Sequence, residues 1–393
     1  MSQQTFRALG VRSQIADALE RRGIESPFRI QALVLPDALA GRDVLAKSPT
    51  GSGKTLAFGI PLVERTRPGR RGAPSALVLV PTRELASQVS AELEIPAGAA
   101  GLRVAAVYGG VPVAAQAKRA KGAEFLIATP GRLKDLVDRE LVELEQIRIL
   151  VLDEADRMLD MGFKPQVDWI VRRLPRGRQT TLFSATLDGE VGELARAYTE
   201  NPSRFESSDA PRGQVLDGEI THAFIPVSPE GKIARLVEEL GAVTGLALVF
   251  VRTKRGAERL VQRLAHHDMS ALAMHGDMTQ KARERALERF RLGQVPTLVA
   301  TDIAARGLDL EEITHVINFD PPEDDKSYLH RVGRTGRAGR SGTGITFVLP
   351  DQQADVSRVA AKLGHHEQFQ SEGLKLARPR LLYTSRRGRA SRW

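Results

Sequence analysis

Short apolar runs alternate with longer amphipathic stretches along most of the chain, and this alternation limits its fold more than any other feature. Runs rich in Val, Leu and Ile are typical of buried strands, whereas stretches such as TRELASQVSAEL and PGRLKDLVDREL have helical spacing. Regular alternation of strand and helix predicts an α/β fold with mainly parallel sheets and helices on both faces of each sheet. The predicted strands are DVLA (43–46), ALVLV (76–80), RVAAVY (103–108), EFLIAT (124–129), RILVLD (148–153) and QTTLFSAT (179–186), then THAFIPV (221–227), ALVFV (247–251), SALAMHG (270–276), PTLVAT (296–301), THVINFD (314–320) and TGITFVL (343–349).

The strand and helix rhythm is interrupted once, at ESSDAPRGQVLDG (206–218), a segment rich in Ser, Asp, Pro and Gly that is typical of a linker. We therefore predict two α/β domains, residues 1–205 and 219–365. Residues 366–393 are predicted to form a basic, disordered tail, because LKLARPRLLYTSRRGRASRW contains one Lys, six Arg and no acidic residue. Such a tail can add non-specific affinity for phosphates.

The net charge of the 393-residue chain is +9, which favours polyanionic partners, nucleic acid first and an anionic membrane surface second. Aromatic residues make up only 5% of the chain, so a nucleic acid would be held by its backbone rather than by base stacking. The absence of cysteine excludes disulfides and thiolate metal sites. MSQQTFRALG lacks the apolar core of a signal peptide, and no apolar run approaches the ~18 residues of a membrane span. We expect a soluble, cytoplasmic protein with no membrane partner.

A glycine-rich turn in DVLAKSPTGSGKTLAF lies between a predicted strand and a predicted helix. Its glycines let backbone N–H groups converge on an anion, and Lys54 adds a positive charge at the start of the helix. A strict phosphate-binding loop has Gly where this chain has Ser48, but the phosphate-facing part is intact. The predicted nucleotide-binding residues of the loop are Thr50, Gly51, Ser52, Gly53, Lys54 and Thr55.

The segment ILVLDEADRMLD (149–160) ends an apolar run with three carboxylates, which repel one another unless a cation or a reacting group lies nearby. The phosphate loop supplies that partner. We expect Asp153 to hold Mg²⁺, usually through water, together with the hydroxyl of Thr55, and Glu154 to orient and activate the attacking water. A solvated acidic turn would explain neither the preceding apolar run nor the loop. Asp156 alone could equally be a structural hydrogen-bonding residue.

DEAD (153–156), TGSGKT, SAT (184–186) and HRVGRTGR (330–337) together resemble the motifs of the DEAD-box ATP-dependent RNA helicases. The family's order is kept over about residues 6–350, and further matching blocks are PTRELA (81–86), the Gly pair at 109–110, TPGR (129–132), VFVRT (249–253), TQKAR and TDIAARGLDL (301–310). The resemblance implies two tandem RecA-like domains, with ATP and Mg²⁺ as cofactors and RNA as the partner.

The family's Q motif is matched by GIESPFRIQ, so the resemblance implies that Gln31 recognises adenine. Phe6, 17 positions before Gly23, matches the family's isolated aromatic residue near the base, although it could equally be a core residue. The usual PTPIQ is PFRIQ in this chain, so the Thr contact is absent and Phe28 and Arg29 stand in its place.

The resemblance also implies roles for residues of the second domain. Arg334 and Arg337 would act as arginine fingers on the γ-phosphate, which makes them catalytic with Lys54 and Glu154, and Asp309 would help to hold the ribose. Ser184, Thr186 and His330 would couple the ATP site to the RNA side. The implied RNA-binding residues are Thr82, Arg83, Gly109, Gly110, Thr129, Arg132, Gly276, Arg283 and Thr301, whose types suit phosphates and sugars rather than base edges.

These expectations together describe a monomeric enzyme that closes two domains on single-stranded RNA, separates short duplexes locally and releases the strand after hydrolysis. Ribosomal and messenger RNA complexes are both compatible with the sequence. Two alternatives belong to other classes: a DNA translocase or repair helicase on the same two-domain core, and a non-enzymatic RNA-binding protein with a decayed ATPase. The second is disfavoured because Lys54, Asp153, Glu154, Arg334 and Arg337 are all present.

Overall fold

The computed structural model describes residues 5–48, 52–67, 73–206, 220–305, 312–336, 340–371 and 373–376. The chain divides into two compact units, the first formed chiefly by residues up to Leu216 and the second chiefly by residues from Asp217 onward. Each unit contains one parallel sheet with flanking helices, which confirms the predicted fold class. No helix within the described residues is long and apolar enough to cross a membrane.

The first unit contains a seven-stranded sheet in the order β3-β4-β2-β5-β6-β1-β7. Each strand pairing in it is parallel. Its elements are α1 (Ser13–Glu20), α2 (Arg29–Leu39), β1 (Val44–Lys47), α3 (Lys54–Arg65), β2 (Ala76–Leu79), α4 (Arg83–Ala99), β3 (Val104–Val107), α5 (Val113–Ala120), β4 (Phe125–Ala128), α6 (Pro130–Asp138), β5 (Ile149–Leu152), α7 (Ala155–Asp160), α8 (Lys164–Val171), β6 (Gln179–Ser184), α9 (Gly189–Tyr198) and β7 (Ser203–Glu206).

The second unit contains a six-stranded sheet in the order β10-β11-β9-β12-β13-β8, again with parallel pairings. Its elements are β8 (Ile220–Pro226), α10 (Lys232–Ala242), β9 (Leu246–Phe250), α11 (Lys254–Ala265), β10 (Ala271–Met274), α12 (Gln280–Arg291), β11 (Thr297–Ala300), α13 (Asp302–Ala305), β12 (Ile313–Asn318), α14 (Asp325–Val332), β13 (Gly342–Val348), α15 (Gln353–Lys362) and α16 (His366–Ser371).

The first sheet is buried on both faces, which is why its central strands are continuous apolar runs rather than alternating ones. Along β5, Val151 packs into one hydrophobic cluster with Phe58 of α3, whereas Leu150 and Leu152 pack into another with Leu133 of α6. Full burial of an aliphatic side chain contributes about 1.5–3 kcal/mol. Both layers of helices are therefore fixed to the sheet, and the strand ends are held in register.

Each of the twelve predicted strands coincides with an observed one, but β7 was not predicted. One further difference concerns the end of the second domain. The stretch assigned to the tail begins with a helix, α16, and Phe369 on this helix is fully buried against Phe224 of β8, because its ring fills the sheet face there. Most of the predicted linker and residues 377–393 of the tail lie outside the described residues.

Candidate functional site

Apart from Phe6 and Gln31, which precede β1, the predicted residues of the first unit lie at the carboxyl ends of its parallel strands, in two adjacent groups. The segments after β1, β5 and β6 carry the predicted ATP-site and coupling residues, and those after β2, β3 and β4 carry the predicted RNA-binding residues. β2 and β5 pair with each other, with Leu79 opposite Leu152. The two groups therefore meet at the middle of one sheet edge, where open α/β sheets bind ligands.

The phosphate loop begins at the end of β1, where the N–H of the buried Ser48 donates to the carbonyl oxygen of Ser184 over 2.9 Å. Gly53 precedes α3 in the left-handed conformation, with φ +82°. A Cβ at this position would come within 2.4 Å of the Phe28 ring and 2.7 Å of Nε2 of Gln31. Gly53 is therefore required both by its backbone and by its neighbours. Thr50 and Gly51 lie outside the described residues.

Lys54 and Asp153 face each other in the interior of the site. The Lys54 ammonium donates to the carbonyl oxygen of Ser48 over 3.4 Å and lies 4.0 Å from Oδ1 of Asp153. Burial raises the pKa of the Asp153 carboxyl to about 6, against the opposing effect of Lys54. A buried carboxylate that favours the proton is also stabilised by a metal cation, and Mg²⁺ prefers oxygen ligands. The residues present thus fit a magnesium-bound triphosphate, and Thr55 follows on the first turn of α3.

Glu154 lies between β5 and α7 with φ +53° and ψ +52°, a left-handed conformation that is uncommon for a residue other than Gly. Its Oε2 accepts from Nη1 of Arg157 over 2.8 Å, and both side chains are less than 10% exposed. Arg157 was not among the predicted site residues. The available signal was its spacing of three residues from Glu154, at which side chains are neighbours on a helix.

The SAT segment is attached to Asp156. Oγ of Ser184 accepts from the N–H groups of Asp156 (3.3 Å) and Thr186 (3.4 Å), and Oδ2 of Asp156 accepts from the N–H of Ala185 (3.2 Å). These contacts connect the turn that carries Glu154 to the end of β6. The first unit thus brings Ser184 and Thr186, two of the three predicted coupling residues, close to the turn that carries the predicted base, and Asp156 has a structural hydrogen-bonding role.

The side chain of Gln31 connects the start of α2 to the phosphate loop. Its Oε1 accepts from the N–H of Phe28 and its Nε2 donates to the carbonyl oxygen of Gly53, both over 2.9 Å. The Phe28 ring is half exposed, whereas Phe6 is only 2% exposed and belongs to the core of the first unit. Adenine recognition by Gln31 and Phe6 stays a prediction.

Four of the predicted RNA-binding residues of the first unit lie together after β2 and β3. Thr82 caps α4, since its Oγ1 accepts from the N–H of Leu85 over 3.2 Å. Arg83 begins α4, and its guanidinium lies against Gly109 and Gly110. Gly110 has φ +81°, and a Cβ on it would come within 2.2 Å of Nη1 of Arg83. The glycine pair therefore leaves room for this guanidinium.

Thr129 and Arg132 lie after β4, where Thr129 precedes α6. Arg132 on this helix donates from Nη1 to the carbonyl oxygen of Val111 (2.9 Å) and to Oε1 of Gln116 (2.6 Å). The same Oε1 accepts from the N–H of Tyr108 over 3.2 Å, and Gln116 is fully buried. Gln116, which sequence reasoning missed, therefore fixes Arg132 to the loop that carries Gly109 and Gly110.

The predicted RNA-binding residues of the second unit also lie near strand ends. Gly276 follows β10 and Thr301 follows β11, where the N–H of Thr301 donates to the carbonyl oxygen of Met274 over 3.3 Å. The buried Arg283 of α12 donates from Nη2 to the carbonyl oxygen of Ala304 over 3.4 Å. These residues thus share the β10–β11 side of the sheet.

Helix α14 carries His330 and Arg331, and Arg334 follows the helix. Arg331 has a structural role: its guanidinium forms a two-point ion pair with Asp302 (2.6 and 2.7 Å), and its Nη1 also donates to Asn318 and to the carbonyl oxygen of Asp320. Nε of the buried Arg334 donates to the carbonyl oxygen of His330 over 3.3 Å. Asp309 and Arg337 lie outside the described residues.

Comparison with known proteins agrees with this arrangement. The family model of the DEAD/DEAH box helicases matches residues 28–194, and the helicase conserved C-terminal domain matches residues 231–339. The chain is 40% identical over 351 residues to the DEAD-box ATP-dependent RNA helicase CshA of Bacillus licheniformis. The aligned residues cover 89% of this chain and 71% of CshA. The chain therefore belongs to the DEAD-box family of RNA helicases.

Other relatives and solved structures extend this DEAD-box assignment. CshA of Geobacillus kaustophilus is 39% identical over 348 residues, which cover 88% of this chain and 74% of that protein. A solved structure of S. cerevisiae Dbp5 bound to RNA and ADP BeF3 superposes on this chain with a TM-score of 0.80 and 30% sequence identity. The superposition covers 92% of this chain and 94% of the Dbp5 chain. This DEAD-box protein is accordingly an ATP-binding, RNA-dependent ATPase of the helicase type.

Proposed function

We propose that this DEAD-box helicase separates short RNA duplexes locally, by ATP-driven closure of its two units on single-stranded RNA. The observation that carries the proposal is the buried Lys54–Asp153 pair beside Glu154 in the first unit. The second unit supplies Arg334 and RNA-contacting residue types on separate elements. Dbp5, which covers 92% of this chain, has been solved with RNA and ADP BeF3 bound, and this supports the simultaneous binding of both ligands.

The proposed hydrolysis assigns one task to each residue. Lys54 binds the phosphates, and the carboxylate of Glu154 orients the attacking water and accepts its proton. Arg334 and Arg337 stabilise the charge that develops on the transferred phosphoryl group, so turnover requires the second unit. Mg²⁺, when held by Thr55 and Asp153, would neutralise charge on the triphosphate. Closure bends the bound strand, and the complementary strand of a short duplex cannot follow.

RNA binding is assigned to the residues that follow β2, β3 and β4 in the first unit and to those on the β10–β11 side of the sheet in the second unit. Those side chains are hydroxyls and arginines beside glycines, which suit the sugar–phosphate backbone, and contacts to the ribose 2′-OH would select RNA over DNA. The monomeric state and a cytoplasmic location remain predictions from the sequence.

Replacement of Glu154 by Gln in the full-length protein tests the assignment. We expect the variant to retain RNA in the presence of ATP while its turnover falls by about 10²–10⁴-fold, the range supplied by a general base. Glu143→Gln, which removes an exposed carboxylate of the same unit, serves as the control. Hydrolysis by E154Q at the wild-type rate would show that Glu154 is not the base.

The DNA translocase alternative is tested by comparing ATPase stimulation by single-stranded RNA and DNA of equal length. We expect stimulation by RNA, and unwinding that falls steeply as the duplex lengthens because separation is local. Equal stimulation by DNA, or unwinding that is independent of duplex length, would favour a translocase.

A further inference from the structure

We propose that Arg157 is a positioning residue for hydrolysis, which holds the carboxylate of Glu154 in its working orientation. The inference rests on the proposed role of Glu154 as the base. Nη1 of Arg157 donates to Oε2 of Glu154 over 2.8 Å, and the exposed fractions of the two side chains are 7% and 5%. Arg157 acts through Glu154 and is assigned no contact with ATP or RNA.

Burial makes this ion pair more consequential than a surface pair. An exposed pair contributes little because water screens both charges, whereas removal of one partner of a buried pair leaves a charge without its counter-ion in a poorly solvated place. Arg157 also supplies a second cation beside the DEAD segment: Lys54 lies 4.0 Å from Asp153, and Arg157 pairs with Glu154. Asp153 and Glu154 therefore each have a cationic partner within the protein.

The backbone at Glu154 explains why a positioning residue is needed. Its left-handed conformation is strained for a residue other than Gly and persists only where the surroundings enforce it. The turn is held by Oδ1 of Asp153, which accepts from the N–H of Glu154 over 2.9 Å, and by the contacts of Asp156 with the SAT segment. These bonds fix the main chain of Glu154, whereas its carboxylate still turns about three side-chain bonds. The guanidinium of Arg157 restricts that rotation.

Arg157 is itself placed by the core. It lies on α7, where Ala155 and Met158 are 1% and 2% exposed and pack into the cluster on one face of the sheet. A guanidinium suits the task because its planar fork gives direction to the hydrogen bond, which a lysine ammonium does not. The orientation of Glu154 is thus coupled to a rigid part of the first unit.

The experiment is a double-mutant cycle between Arg157→Met and Glu154→Gln in the full-length protein, with steady-state ATP hydrolysis measured as a function of ATP and of RNA concentration. Met keeps an apolar stem and removes the charge. We expect R157M to lower kcat by about 10²-fold, the effect of misplacing a catalytic group by about 1 Å, while KM for ATP and the RNA concentration for half-maximal stimulation change less than about twofold. In the E154Q background, R157M should have no further effect, because the residue acts only through Glu154.

Arg157→Lys is the second variant and keeps the test valid if R157M does not fold, as judged by circular dichroism. It retains the charge without the fork, so we expect its kcat to lie between those of R157M and the wild type, again with no further effect in the E154Q background. Arg139→Met removes the exposed partner of Asp135 on α6 and should leave kcat unchanged.

The possible outcomes separate the inference from the proposed function. Equal loss of rate from the Arg157 variants in both backgrounds, or a change in KM with kcat retained, would overturn the positioning role. Wild-type hydrolysis by E154Q alone would instead overturn the role of Glu154 as the base.

Discussion

The side-chain amide of Gln31 donates a hydrogen bond of 2.9 Å to the carbonyl oxygen of Gly53, and its oxygen accepts from the N–H of Phe28. One fully buried glutamine thereby joins the start of α2 to the residue that precedes α3. Gly53 is left-handed, and Phe28 and Gln31 leave no space for a side chain on it. The backbone of the phosphate loop at Gly53 is therefore placed by its contact with Gln31. The segment for which adenine recognition was predicted therefore also supports the predicted phosphate loop.

Gln31→Ala should weaken ATP binding in two ways, by removing the contact with Gly53 of the phosphate loop and by removing the predicted contact with adenine. Loss of a buried hydrogen bond that leaves its partner unsatisfied costs about 1–3 kcal/mol, so KM for ATP should rise about tenfold or more. KM for GTP should rise less, because GTP loses only the support of the loop. Steady-state ATPase and GTPase assays measure both, with the exposed Gln146→Ala as the control. An equal rise for the two nucleotides would show that Gln31 supports the loop without recognising adenine.

Most of the fold was predictable because buried parallel strands are continuous apolar runs. β2, β4 and β5 are fully buried along their length, so their segments ALVL, FLIA and ILVL have the apolar composition of central strands of the sheet. β7 was not predicted because it is an edge strand, and its residues SRFE are partly or fully exposed and include only one apolar residue, Phe205. α16 was not predicted because Phe369 is its single buried residue, and one apolar residue cannot show the helical spacing of apolar residues that identifies a helix in a sequence.

The candidate site was predictable to the extent that its residues follow strands. Parallel strands bring their carboxyl ends to one edge, so the residues after β1 and β5 had to approach each other. Arg157 and Gln116 could not be found in this way, since both lie on helices and act on residues that the motifs already contain. The pairing of Gln116 with Arg132 depends on how α5 and α6 pack, and that is decided by tertiary contacts. The pairing of Arg157 with Glu154 is local, and only their spacing of three residues indicates it.

The pKa of Asp153 predicts a pH dependence of stability. Burial raises it from 3.8 to about 6, so the folded protein keeps a proton that the unfolded chain releases between these values. The stabilisation from this group is fully present below pH 3.8 and is lost as the pH rises through about 6, a change of about 3 kcal/mol. Asp153→Asn should therefore gain stability relative to the wild type as the pH rises through this range.

Urea unfolding of wild type and D153N from pH 4 to pH 7.5 measures this difference, and the exposed Asp160→Asn on α7 is the control. D153N should also lose ATPase activity, since it lacks the carboxylate that would hold Mg²⁺. A difference in stability that does not vary with pH would contradict the burial argument.

Gln116→Leu should weaken RNA binding although Gln116 is fully buried. Arg132 and the N–H of Tyr108 lose a shared acceptor, so we expect RNA affinity to fall about tenfold, which corresponds to about 1.4 kcal/mol. Gln116→Glu keeps the acceptor oxygen and replaces Nε2, which has no hydrogen-bond partner within the described residues, by a second oxygen. The carboxylate that this creates faces the guanidinium of Arg132, so we expect the RNA affinity of this variant to stay within about threefold of the wild type. Fluorescence anisotropy with labelled single-stranded RNA distinguishes them. Equal affinities for Q116L and Q116E would show that Gln116 does not position Arg132.

The adjacent glycines of the first unit should respond differently to the same substitution. A Cβ on Gly110 would lie 2.2 Å from Nη1 of Arg83, at a backbone position with φ +81°, whereas a Cβ on Gly109 would lie 3.4 Å from Nη2, which is an ordinary contact. Gly110→Ala must therefore displace the guanidinium of Arg83 and strain the loop, and we expect it to lower RNA affinity about tenfold. Gly109→Ala leaves Arg83 in place and should cost less than about threefold. The same anisotropy titration, repeated in the Arg83→Ala background, tests the cause. If the displacement of Arg83 is responsible, most of the difference between the two alanine variants should disappear there, and a difference that persists unchanged would assign the effect to the loop backbone alone.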